Sequence, residues 1–226
     1  MPNYFWALVL CLVSIIATPA TASVSTNSVG FAKHSDTLYR VSQKTDVKMI
    51  DLVTMASIES TMGAGMHNKH SSAKGLFGFT DRTWRATVKK YGKQYGVKPG
   101  TSVKNSRANT LMAVAYMKEN KEFLERSLQR QVGINEIYMA HLLGPGGAVK
   151  ILKARNDRLA VRVAGGAAGN RAYFYTDKGK PRTVAGFKQY VNSVVSNHRK
   201  AYKQEVTLYA FQNQLPIALA DNHSPR

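Results

Sequence analysis

The chain has 226 residues, 32 Lys and Arg against 13 Asp and Glu, and a formal net charge of +19 at pH 7. The length suits one sizeable domain with a small appendage. The single cysteine, Cys11, lies in an apolar N-terminal run, so the rest of the chain has neither disulfide nor thiol chemistry. The positive field draws polyanions. The basic residues are dispersed and no nucleic-acid motif accompanies them, which excludes a specific nucleic-acid reader and leaves an anionic cell wall or membrane surface as the nearer partner.

Residues 1–22 carry no Asp, Glu, Lys or Arg. The apolar run over 4–17 is short for a transmembrane helix. Ala20 and Ala22 form an A-x-A site after it, so the sequence predicts a secretory signal peptide over 1–22. The expected product is exported, periplasmic and wall-associated, with no stable transmembrane segment after cleavage. The first basic side chain is Lys33, which keeps an uncleaved N-terminal anchor open as the alternative. Leu10 before Cys11 is too large for a lipoprotein site.

A small, polar start over 23–33 leads to Ser35-Asp36, which can cap a short helix reaching Thr45. The next predicted helix covers 47–61, with Leu52, Met55 and Ile58 at helical spacing and Gly63 and Gly65 as its stop. Thr80-Asp81 can cap a helix over 82–91 that Gly92 ends. After a loop, Ser106 can cap a long helix reaching Arg130, rich in helix formers. A helix over 135–143 stops at Gly144-Pro145-Gly146-Gly147, and a short one covers 148–154. Residues 165–170 read as a loop, and Tyr173-Phe174-Tyr175 with the turn after it as an extended arm. Thr183 can cap a final helix over 184–202, and the last twenty or so residues read as loosely ordered. No strand ladder and no repeat emerges, so the expected class is mainly α.

Glu59 closes the apolar helix over 47–61. Burial beside Leu52, Met55 and Ile58 and the negative end of the helix dipole both disfavour its carboxylate. A carboxyl kept protonated near neutral pH is what a glycosidase uses to protonate a leaving oxygen. Most glycoside hydrolases add a second carboxylate. Asp81 is the nearest acid downstream and also suits a helix cap, while Glu119, Glu122 and Glu125 read as a solvated face. Either Asp81 serves, or one acid suffices and the substrate's own acetamido group acts as internal nucleophile. His67 and His70 lie in a glycine-rich loop without acidic partners, so no metal site and no cofactor is expected.

The stretch Ala56-Ser57-Ile58-Glu59-Ser60, then Ala73-Lys74-Gly75-Leu76-Phe77-Gly78-Phe79-Thr80, then Thr83-Trp84, resembles the soluble lytic transglycosylases, which have a lysozyme-like fold. Their pattern is Glu-Ser, then Gly-Ala-x-Gly-Leu-Met-Gln, then a downstream Thr. A second block, Ala-Tyr-Asn-x-Gly, has its counterpart in Ala140-His141-Leu142-Leu143-Gly144. The surrounding residues 138–148 resemble the branch found in phages and in conjugation or secretion systems, which implies such an apparatus as a partner. The resemblance covers 35–155 and leaves 156–226 as a helical C-terminal extension. It implies that Glu59 protonates the bond between N-acetylmuramic acid and N-acetylglucosamine in peptidoglycan strands. Glu59 then takes the proton of the muramoyl 6-hydroxyl, closing a 1,6-anhydro ring without water.

By the same resemblance Ser60 orients Glu59 or the acetamido group, unless it is bonded to backbone. Gly75 and Leu76 bring backbone close to the sugar, and Phe77 offers apolar surface. His141 donates a hydrogen bond toward Glu59 or the sugar, and Tyr138, one turn earlier, is a similar candidate. Tyr116, Phe79 and Trp84 favour core packing. Two positions depart from the family pattern: Gly78 stands where Gln is usual, and His141 where Tyr is usual. Two rival functions remain, a hydrolytic muramidase using Asp81 and an inactive basic wall-binding module.

Overall fold

A computed structural model describes residues 24–63, 73–166 and 170–213, the side chains of 24–28 excepted. The predicted signal peptide, His67, His70 and the tail from 214 lie outside the described residues. Within them the chain is mainly α. There are nine helices and three isolated β-bridges: Lys74 with Phe79, Leu159 with Thr183, and Tyr175 with Pro181. No helix among the described residues is long and apolar enough to cross a membrane.

Helix α1 spans Val24–Thr45, longer at its start than Ser35-Asp36 suggested. Helix α2, Met49–Ser60, carries Glu59 in its last turn. It ends before the glycines that the sequence marked. Thr61 and Met62 both take left-handed backbone, φ 49° and 57°, and Gly63 follows at φ 77°. The Thr61 N–H caps the Ser57 carbonyl, and the Met62 N–H caps the Ala56 carbonyl. A left-handed non-glycine residue costs about 1–2 kcal/mol. Met62, fully buried in the core, holds this geometry in place.

Helix α3 is Asp81–Tyr95, capped by the Thr80 hydroxyl, which accepts from the Thr83 N–H. It runs through Gly92 and stops at Gly96, φ 65°. Gly92 is needed for space rather than as a stop: a Cβ there would lie 2.4 Å from the Val97 carbonyl oxygen. Helix α4, Ser106–Leu128, is capped by Asn105 rather than by Ser106. The Ser106 hydroxyl instead meets His34 Nδ1 at 3.2 Å and ties α4 to α1. Helix α4 is buried without a break from Ala108 to Ala115, and α1, α3, α5 and α6 pack around it.

Helix α5, Ile134–Leu143, opens where the Gly133 N–H donates to Glu136. Pro145 begins α6, Pro145–Lys153, as suits a residue without an N–H to place. Short α7, Ala160–Ala164, and α8, Arg171–Phe174, follow. Tyr173 and Phe174 are therefore helical rather than extended, with only Tyr175 pairing across to Pro181. Helix α9, Val184–Gln212, is capped by Thr183 and continues well past 202. Its Phe187, Val191, Val194, Val195, Tyr202 and Val206 belong to the same hydrophobic core as α2 and α4. Helix α9 lies along α2, where Arg199 pairs with Asp51. It also backs α5 and meets α1 through Phe31 against Tyr202 and Tyr209.

Candidate active site

The apolar stripe of α2 sinks the whole helix, and Glu59 goes down with it: its side chain is 3% exposed. Helix α5 meets it with His141, 13% exposed, whose Nε2 lies 3.1 Å from Glu59 Oε1. The approach is close but lies off the direction of a hydrogen bond, so charge rather than an aligned N–H holds the pair. Burial works against the imidazolium. The Glu59 charge and its close contact together outweigh burial, and the His141 pKa is raised above its ordinary value.

A raised histidine contributes stability that is complete below its unfolded value of about 6.5 and is lost as pH climbs through the raised folded value. A His141→Gln variant is expected to fall furthest behind the wild type below about pH 6.5. The gap should narrow on the alkaline side. Urea midpoints of both proteins measured across pH check this, and a gap that widens with pH contradicts it.

Two tyrosines frame His141. The Tyr116 ring meets it edge-on at 5.9 Å, and the Tyr138 ring, one turn earlier on α5, lies nearly parallel at 6.3 Å. The Tyr138 hydroxyl is 2.5 Å from that of Tyr173 on α8. Tyr138 is 2% exposed, so it supports the imidazole from within the core. The phenol of Tyr116 is held above its ordinary value, mainly by burial. Past His141, Asn170 donates to the Leu142 carbonyl at 3.1 Å and steadies the end of α5.

The turn over 74–79 is built tightly. Lys74 and Phe79 exchange backbone hydrogen bonds at 2.9 and 3.0 Å, and the Gly78 N–H reaches the Gly75 carbonyl at 3.3 Å. Gly78 has φ 59°, so the usual glutamine would be strained in this turn. Gly75, φ 76°, approaches α4 so closely that a Cβ would lie 2.4 Å from the Val103 carbonyl and 2.5 Å from Asn109 Nδ2. Asn109, fully buried on α4, clamps the turn by accepting from the Phe77 N–H at 2.8 Å and donating to the Val103 carbonyl at 2.9 Å. Ser60 joins the turn to α2. Its hydroxyl donates to the Leu76 carbonyl at 2.7 Å and accepts from the Gly63 N–H at 2.8 Å. Leu76 and Phe77 are both buried in the core. Of the expected sugar-contacting residues, Ser60, Gly75, Leu76 and Phe77 thus have packing or backbone partners that build the wall beside Glu59.

Asp81 stands apart in character. Its side chain is 47% exposed and pairs with Lys74 at 3.0 Å at the start of α3. Phe79 and Trp84 pack edge-on at 5.6 Å, and the indole N–H donates to the Thr101 carbonyl, so both belong to the core. Among the described residues no cluster of His, Cys, Asp and Glu is arranged to hold a metal ion.

Sequence reasoning missed Asn109 and a third group near Glu59. His198 on α9 hydrogen-bonds through Nδ1 to the buried Ser57 hydroxyl at 2.7 Å. Burial holds the His198 pKa below its ordinary value, and the Glu59 charge only partly opposes this. A signal was present: His198 continues the stripe of Phe187, Val191, Val194 and Tyr202 at helical spacing. A histidine in an apolar stripe must find a partner or lose its charge.

No protein-family model matches the chain.

Proposed function

We propose that the chain is an exported peptidoglycan lytic transglycosylase with Glu59 as its one acid and base. The observation that carries this reading is the meeting of its two family-like blocks: α2 and α5 bring a 3%-exposed carboxyl within 3.1 Å of an imidazole. A buried carboxyl beside a titratable imidazole suits a residue that must give a proton and take one back. Glu59 delivers its proton to the glycosidic oxygen as the bond from that oxygen to the muramoyl C1 breaks, with the acetamido oxygen bonding to C1. The muramoyl 6-oxygen then displaces the acetamido group from C1, and its proton passes to Glu59. The acid is restored and no water is consumed. Between the two transfers Glu59 is an anion, and the positive charge of the His141 imidazolium faces it. The fold this reading implies is the lysozyme-like one. The process it serves is local wall opening in conjugation, secretion or phage entry, which rests on resemblance alone.

Mass spectrometry of sacculi digested by the purified protein tests the reading. Strands ending in 1,6-anhydromuramic acid are expected. Hydrated reducing ends would transfer the assignment to a muramidase. The exposed ion pair of Asp81 with Lys74 favours the one-acid route over that alternative.

A further inference from the structure

We propose that His198 is a positioning residue for Glu59: through Ser57 it holds the last turn of α2 in register on α9 and so keeps the acid against His141. The proposal rests on the reading of Glu59 given above, but its geometry is independent of any substrate.

Helix α2 is short and ends in two left-handed non-glycine residues directly after Ser60, so its last turn gets no support from a longer helix beyond. Support comes from the side, where α9 lies along it. Arg199 pairs with Asp51 near the start of α2, and His198 bonds Ser57 near its end. Tyr202, one turn further along α9, is fully buried beside them. Residues two apart on a helix point to nearly opposite sides. The Ser57 contact therefore grips the side of α2 facing away from Glu59. Because α9 also backs α5, one helix sets the positions of both partners in the Glu59–His141 couple.

The charge state of His198 fits this role. Burial favours its neutral form. A neutral imidazole can bond the Ser57 hydroxyl without burying an unpaired cation between α2 and α9. The neighbouring Arg199 cation is already matched by Asp51.

The test reads the His141 ring by NMR titration and, in parallel, kcat on sacculi. In His198→Ala and in Ser57→Ala the raised His141 titration midpoint is expected to move down toward its ordinary value, and kcat to fall roughly 10- to 100-fold. Combining the two substitutions should cost little more than either alone. His198→Asn places an amide where Nδ1 was and should restore both the midpoint and kcat. An unchanged His141 midpoint in both alanine variants, with only the melting temperature lowered, would reduce His198 to a packing residue and overturn the proposal. A wild-type protein that never cleaves sacculi, while its His141 midpoint still responds to His198→Ala, would sink the transglycosylase reading and leave the positioning role standing.

Discussion

Glu59→Gln is expected to remove roughly 10²- to 10⁴-fold of the glycan-cleaving rate while leaving the fold in place. Glutamine has the size of glutamate and fills the same space against α5, so no cavity opens. Its amide hydrogens are not transferable at neutral pH, so neither the first proton delivery nor the second abstraction can occur. The stability effect is small because two losses offset. The variant gives up the attraction to His141 but no longer buries a carboxyl that is 3% exposed. The His141 midpoint should fall at the same time, since the Glu59 charge and contact are what raise it against burial. Release of soluble muropeptides and the circular dichroism spectrum are the two measurements. A variant with a native spectrum and full turnover would remove Glu59 from the mechanism, whatever the other residues do.

Gly75→Ala should be the most destabilising single-methyl change in the site, at about 3 kcal/mol or more. Two costs add. The residue sits at φ 76°, where an alanine is strained. The new methyl would also stand 2.4 Å from the Val103 carbonyl and 2.5 Å from Asn109 Nδ2. The first of these is backbone and cannot swing aside. Relief requires the turn to lift off α4, which breaks the Phe77–Asn109 bond and pulls on the Ser60–Leu76 bond that reaches α2. For a chain of this size that loss corresponds to a melting temperature lower by about 6–12 °C. Gly133→Ala is the matched control. Its Cβ would meet nothing within 4 Å, and the position is the N-cap of α5. Glycine is favoured over alanine at an N-cap, so about 0.5–1 kcal/mol is at stake there, well below the cost at Gly75. Equal melting temperatures for the two variants would refute the tight-turn account.

Elements set by local chemistry were the most legible. Thr80 and Thr183 cap the helices they were expected to cap, because a hydroxyl accepting the N–H three residues on is a short-range event. Glycines were harder to read. Gly92 looked like a stop and is a close-contact residue inside α3, and the true end of α2 falls on Thr61 and Met62. In both places tertiary packing overrides local preference, and no pattern in the sequence displays the packing. The couple of Glu59 with His141 was legible only through resemblance, since α2 and α5 are far apart in the chain. Asn109, Ser57 and His198 stayed hidden for the same reason. Each is one polar side chain on an otherwise ordinary amphipathic helix, and its partner is 32 positions away for Asn109 and 141 for Ser57.

That separation between Ser57 and His198 has a bearing on how the protein comes into being. The helix carrying the acid is made early, and the helix that backs it is made more than a hundred residues later. Closing so long a loop is entropically slow, and the contacts that reward it come only at the end. A growing chain therefore carries Glu59 for most of its synthesis without the surface that buries it, and a chain cut short before α9 never acquires that surface. Competence to cut should appear in one late, cooperative step. On the proposed reading of Glu59, such timing keeps unfinished copies from cutting wall.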